Sequence, residues 1–248
     1  MSKIIAYTDL GLIDYRKAWD LQTELLKSST NRKQRNRELA AQGGLQEAIQ
    51  HYFLLCQHPH VYTLGRNGSE THLLADAAEL ERIGATFVKI NRGGDITYHG
   101  QGQIVGYPIL DLDDFFTDIA RYIRGIEEII IRTIAEYGLI GERIVGESGV
   151  WLHIDSPRPC KICAIGVHLS RWITMHGFAL NVNTDLSYFE HIIPCGLRDK
   201  GVTSMAQELG KTVDLAEVEA KIVRHAGEFF GATMQAYSSN ANNELKIE

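Results

Sequence analysis

The 248-residue chain lacks a long apolar run, an excess of positive charge and a dense cysteine framework. Its longest apolar candidate, around Ile129-Ile130-Ile131, is cut by Arg132 and preceded by two glutamates, so no stretch reads as a bilayer span. The start, Met1-Ser2-Lys3-Ile4-Ile5, is too polar for a secretory signal. A formal net charge of -6 gives the chain as a whole no nucleic-acid footprint. Four cysteines, Cys56, Cys160, Cys163 and Cys195, in a chain of this size read as reduced thiols. The expectation is a cytoplasmic protein with neither membrane nor nucleic acid among its partners.

Further absences narrow the chemistry. The glycine-rich stretch Arg92–Gln103 is not followed by Gly-Lys-Ser/Thr, which excludes a Walker phosphate loop. Strand-like residues follow it where a dinucleotide fold needs a helix. Cys160-x-x-Cys163 has no second pair to complete a zinc site and lies in a strand-like run, so no metal site is expected. Residues three apart in a strand face opposite ways, which reads these two thiols as small residues on opposite faces. The same rule puts Lys161 and Cys163 on one face, with Ile165 beyond. There is no strict βα alternation, no internal repeat and no Pro/Ser-rich interior linker. Strands cluster in the middle and helices lie between and after them. That pattern predicts an α+β fold with a mixed, largely antiparallel sheet in one domain spanning 1–248.

Several elements are present in outline. Residues 13–28 read as an amphipathic helix with Ala18, Leu21, Leu25 and Leu26 on one face. Lys27 to Arg37 is basic without an acid, and reads as a solvated loop and helix start or as a docking patch for an acidic protein. Two short strands flank the turn signal Gln57-His58-Pro59-His60. A helix over 73–83 stops at Gly84, and Gln103–Leu112 is a strand. Thr117–Tyr137 is a helix stopped by Gly138. Strand runs cover 149–154, 161–169 and 172–182, with a hairpin turn at Ser156-Pro157-Arg158-Pro159. A last helix occupies 214–230, capped by Asp214 with Glu217 as its capping-box partner. Residues 237–248 read as a polar tail.

Three segments carry candidate chemistry. Glycines in Arg92-Gly93-Gly94-Asp95-Ile96-Thr97-Tyr98-His99-Gly100 allow main-chain N–H groups to approach an extended ligand. Lys161 opens the motif Lys161-Ile162-Cys163-Ala164-Ile165-Gly166 at the start of the 161–169 strand run. Cys195 follows a proline and precedes a glycine in an irregular segment. A thiol, an amine and a close-approach loop are the parts of an acyl-transfer site, because a nearby cation makes a thiol a better nucleophile.

These segments, with His176-Gly177-Phe178-Ala179-Leu180-Asn181, resemble the lipoyl(octanoyl) transferases in type, order and spacing over roughly residues 45–210. The chain departs from that family at Gln101, where proline is usual, and in a basic stretch at 29–44 that resembles an insertion. The resemblance implies the fold of the biotin and lipoate protein ligases: a main sheet, a smaller sheet and flanking helices. It implies Cys195 as nucleophile and Lys161 beside it, lowering the thiol's pKa and carrying its proton. It implies an acyl tunnel built from Arg92 to His99, Ala164 to Gly166 and Gly177 to Ala179. No cofactor is implied. The donor would be octanoyl-acyl carrier protein. The acceptors would be lipoyl domains of 2-oxoacid dehydrogenase E2 subunits and the glycine cleavage H protein. Two other readings compete: an ATP-dependent lipoate–protein ligase, and a non-catalytic module that sequesters acyl chains.

Overall fold

The computed structural model describes residues 3–193 and 200–237. In chain order its elements are β1 (Lys3–Leu12), α1 (Tyr15–Ala41), β2 (His51–Gln57), β3 (Val61–Leu64), α2 (Ala77–Arg82), β4 (Thr86–Lys89), β5 (Ile96–His99) and β6 (Gln103–Ile109). There follow α3 (Ile119–Ala135), β7 (Val150–Leu152), β8 (Cys160–Ser170), β9 (Ile173–Asn181), β10 (Gly201–Val202), α4 (Met205–Leu209), α5 (Leu215–Phe230) and β11 (Ala232–Ala236). Among the described residues, no helix is long and apolar enough to cross a membrane.

A main sheet runs β10-β8-β9-β6-β2-β1-β11 with β7 on β8, and a second sheet runs β4-β3-β5. The main sheet is antiparallel through β8, β9, β6 and β2, and parallel where β1 meets β2 and β11. This is the expected mixed α+β architecture. α3 and α5 cover one face through Ile126, Ile130, Ile222 and Ala226. α1 covers the other, where Ala18 and Leu25 meet Leu54, Val105 and Ile109.

Helix α1 runs well past residue 28. Its buried stripe continues as Ser29, Lys33 and Asn36, spaced to stay on one face, but polar. Lys33 Nζ lies 2.6 Å from Asp111 and 2.7 Å from Asp113, and donates to the Arg171 carbonyl at 2.9 Å. Asn36 exchanges hydrogen bonds with the Glu47 main chain at 2.7 and 2.8 Å. The basic stretch is therefore helix, not solvated loop. Its central lysine is buried against carboxylates and unavailable to a docking partner.

Other boundaries move for local reasons. α2 starts only at Ala77, because Asp76 caps it by accepting from Glu79 N. The strand expected to reach Leu112 ends at Ile109, and Leu112–Asp114 is a 3-10 turn. The strands either side of Gln57-His58-Pro59-His60 belong to different sheets, so the turn hands the chain over and does not close a hairpin. Asp214 caps α5 through Ala216 N, while the Glu217 carboxylate pairs with Lys221 at 3.3 Å.

Candidate active site

The site forms where the small sheet abuts β8 and β9. Gly93 N donates to Val167 O at 2.9 Å, tying the glycine-rich loop to β8. Arg92 is buried beneath that loop and donates to Thr63 O at 2.8 Å, Thr63 Oγ1 at 3.0 Å and Gly93 O at 3.0 Å. A Cβ at Gly166 would lie 2.9 Å from both Arg92 Cδ and Gly93 O, so only glycine permits this approach.

Cross-strand register then carves a trough. Ala164 pairs with Ala179 and Gly166 with Gly177, placing four small residues together on one face of β8–β9. The intervening pair, Ile165 and Phe178, borders the cavity as well and packs into the core cluster beneath α3 and α5. The trough opens into a cavity that reaches the surface. Arg92, Gly94, Asp95, Ile96, Thr97 and His99 border it from the loop and β5, and Lys161 borders it from the start of β8.

The inner wall is polar in composition yet inward-bonded. Thr63 Oγ1 accepts from Arg92 and lies 3.3 Å from His99 Nε2. His99 Nδ1 lies 2.9 Å from Gln103 Oε1, and Gln103 Nε2 donates to Asn181 Oδ1 at 2.9 Å. Asn181 Nδ2 donates to Thr203 O at 3.0 Å. This relay fixes the tautomer: His99 donates from Nδ1 and accepts at Nε2. His58 donates from Nδ1 to Ile13 O at 2.7 Å and accepts from Tyr107 OH at 2.7 Å. Burial lowers His58 to about 4 and His176 to about 3, and pushes His99 well below its ordinary value. His99 and His176 thus border the cavity as neutral rings, and His58 is joined to it through the lining residue Tyr107. Tyr15 stacks on His99 with centroids 5.6 Å apart.

Lys161 sits where polarity returns. Its Nζ lies 4.5 Å from the centroid of the buried Trp151 ring, and Lys200 Nζ lies 5.1 Å from the same centroid. The predicted pairing of Lys161 and Cys163 on one face does not hold. Val150 pairs with Cys163 and Trp151 with Lys161, leaving Ile162 as the extra residue of a β-bulge. Ile162 and Cys163 both enter the core, while Lys161 turns toward the cavity with Ala164. Cys160 is partly exposed and Cys163 buried.

Two residues assigned to the binding loop lie off the wall. Gly93 is the tie to Val167. Tyr98 belongs to the core of the small sheet, with its hydroxyl 2.8 Å from His60 Nδ1 and its ring stacked 5.0 Å from Tyr188. Cys195 lies outside the described residues. The wall also contains Tyr15, Gln103, Val105, Tyr107, Ser148 and Phe189, which the sequence reading did not single out. Alternation along β6, where residues 103, 105 and 107 share a face, is the signal that finds three of them. Gln101 follows Gly100, whose carbonyl accepts from Gln103 N at 3.2 Å, and Gly102 has φ +79°. That is the form of a type II turn, which favours proline at the Gln101 position but accepts glutamine.

The result is a trough floored by small residues, bordered by the neutral rings of His99 and His176 and ending at a lysine. The chain belongs to the lipoyl protein ligase A/B catalytic domain family, which matches it over residues 14–227. It is 53% identical over 236 residues to an octanoyltransferase of Christiangramia forsetii, covering 95% of this chain and 99% of that one. An octanoyltransferase of Bacteroides fragilis is 49% identical over 217 residues, covering 88% and 94%. The fold is also that of a bi-partite lipoate protein ligase from Thermoplasma acidophilum, with TM-score 0.67 at 14% identity over 98% of this chain and 88% of that one. A lipoate-protein ligase A solved with ATP gives TM-score 0.65 at 14% identity, covering 98% and 91%.

Proposed function

We propose that this acyltransferase moves an octanoyl group from acyl carrier protein to a lysine of a lipoyl domain, in two steps through a thioester on Cys195. The observation that carries the reading is the trough of Ala164, Gly166, Gly177 and Ala179 with Lys161 at its polar end. High identity along nearly the full length of octanoyltransferases supports the choice of acyl group.

In the first step Lys161 takes the Cys195 proton, and the thiolate attacks the donor's thioester carbonyl. Main-chain N–H groups stabilise the resulting oxyanion. The carbon–sulfur bond to the carrier breaks, and the departing thiolate recovers the proton from the Lys161 ammonium. One thioester replaces another, so no ATP or cofactor is needed. In the second step the neutral ε-amine of the acceptor attacks the octanoyl-Cys195 carbonyl. Lys161 accepts the amine's proton and returns it to the leaving Cys195 thiolate, and an amide is formed. The acceptors are lipoyl domains of the 2-oxoacid dehydrogenase E2 type and the glycine cleavage H protein, encountered in the cytoplasm.

The test is transfer from octanoyl-carrier protein to a lipoyl domain in the absence of ATP. The reading expects turnover, and expects Lys161→Ala to lower it by about a hundredfold or more, the scale of general acid–base catalysis. Turnover that needs ATP and free octanoate would instead make the chain a ligase.

A further inference from the structure

We propose that the groove between β10 and the Leu186–His191 turn takes the phosphopantetheine arm of the thioester donor, with an arm amide pairing to the main chain of Val202 and the phosphate meeting Arg158. The proposal rests on the thioester-donor reading above and adds where the arm lies.

The groove is lined by Leu74, Phe189 and Ile192 on one side and by Cys160, Val202 and Arg158 on the other. Phe189 and Val202 also border the acyl cavity, so an extended molecule can pass from one into the other. The main chain of β10 supplies the recognition element. Gly201 N donates to Pro159 O at 2.8 Å and Thr203 N to Lys161 O at 3.0 Å. In a strand, successive peptide groups point to opposite edges, so the Val202 N–H and C=O turn away from β8. Among the described residues no strand pairs with that second edge. Such an edge binds extended chains that carry their own amides.

The arm fits this geometry better than the acceptor's side chain does. A pantetheine arm is extended, carries two amides and an apolar dimethyl carbon, and ends in a phosphate. A lysine side chain has four methylenes and no amide to offer the Val202 edge. The cations nearby are also divided. Lys200 is 3.0 Å from Glu147 and mostly buried, whereas Arg158 is exposed. Glu190, from the facing turn, is the acidic member of the lining, which leaves Arg158 to meet the phosphate.

The experiment measures octanoylation of the full chain by intact mass, using three synthetic octanoyl thioesters. These are N-acetylcysteamine with one amide, pantetheine with two, and 4′-phosphopantetheine. We expect kcat/KM for acylation to rise about tenfold with the second amide, and again with the phosphate. Val202→Pro removes the N–H at a position that does not bond to β8, and should collapse the first ratio. Arg158→Glu should collapse the second. A pantetheine thioester no better than the N-acetylcysteamine one overturns the proposal on the unaltered protein, whatever Val202→Pro does to folding. Ratios that survive both variants overturn it too, as does a Val202→Pro effect confined to KM for the acceptor domain. Absence of adduct from every thioester, with activity only from ATP and octanoate, removes the donor reading and the groove assignment together.

Discussion

Burial holds three imidazoles neutral: His99 and His176 at the cavity, and His58, which bonds to the cavity residue Tyr107. The unfolded chain takes up their protons near the ordinary value of 6.5, whereas the folded chain does not until about 4 for His58 and about 3 for His176. Protons bind the unfolded state preferentially in that window. Stability is thus fully present above 6.5 and is lost as pH falls below it. At pH 5 each of these two groups should cost about 2 kcal/mol. Urea unfolding at pH 7.5 and pH 5.0 checks this: the account expects a clear fall in the midpoint, reduced in His58→Gln, and a flat profile would refute the neutral assignment. These histidines were visible in the sequence as residues, but their state was not, because it depends on partners such as Ile13 O and Tyr107 OH that lie 45 and 49 positions away. Lys161 shows the opposite limit. Its place in a strand was legible, but the bulge at Ile162 that turns it from the core to the cavity leaves no mark in the hydrophobic alternation.

Among elements, the β8–β9 hairpin decides what the cavity holds. Two small–small pairs in register, Ala164 with Ala179 and Gly166 with Gly177, leave a channel one side chain deep. Ala164→Leu should fill it, lowering acylation by octanoyl donors about tenfold or more relative to hexanoyl donors, with a melting temperature near that of the parent. An unchanged preference between the two chain lengths would place the acyl group elsewhere. The small residues were legible through the family resemblance; strand period puts 164 with 166 and 177 with 179 on one face, but the register that brings the pairs together is tertiary. α1 was readable only while its buried stripe stayed apolar. Beyond Leu25 that stripe is Ser29, Lys33 and Asn36, and polar residues at core positions look like a solvated surface until Asp111 and Asp113 are seen opposite. Lys33→Ala should therefore cost about 3 kcal/mol, because it strands the buried Asp111 carboxylate. Arg35→Ala, at an exposed ion pair 3.7 Å from Glu47, should change stability by no more than about 0.5 kcal/mol. Equal losses in the two variants, measured by denaturant unfolding, would contradict the assignment of Lys33 to the interior.

Over the whole molecule, the small sheet and main sheet meet through Gly93 on Val167, and that junction assembles the site from residues 92–99, 161–166 and 176–179. The overall class of fold was accessible from the distribution of strands and helices. Sheet order was not, since β1 pairs in parallel with β11 across almost the entire chain and β2 passes directly to a strand of the other sheet. Such pairings follow from how layers cover one another, which local periodicity does not encode. The central claim is that this assembly carries the acyl group covalently between two partners. Intact mass after mixing the protein with octanoyl-carrier protein, without ATP or acceptor, tests it most directly when run beside Cys195→Ala. The account predicts one octanoyl adduct on the parent, none on the variant, and loss of the adduct when a lipoyl domain is added. A parent that stays unmodified, or an adduct that persists in Cys195→Ala, would contradict it.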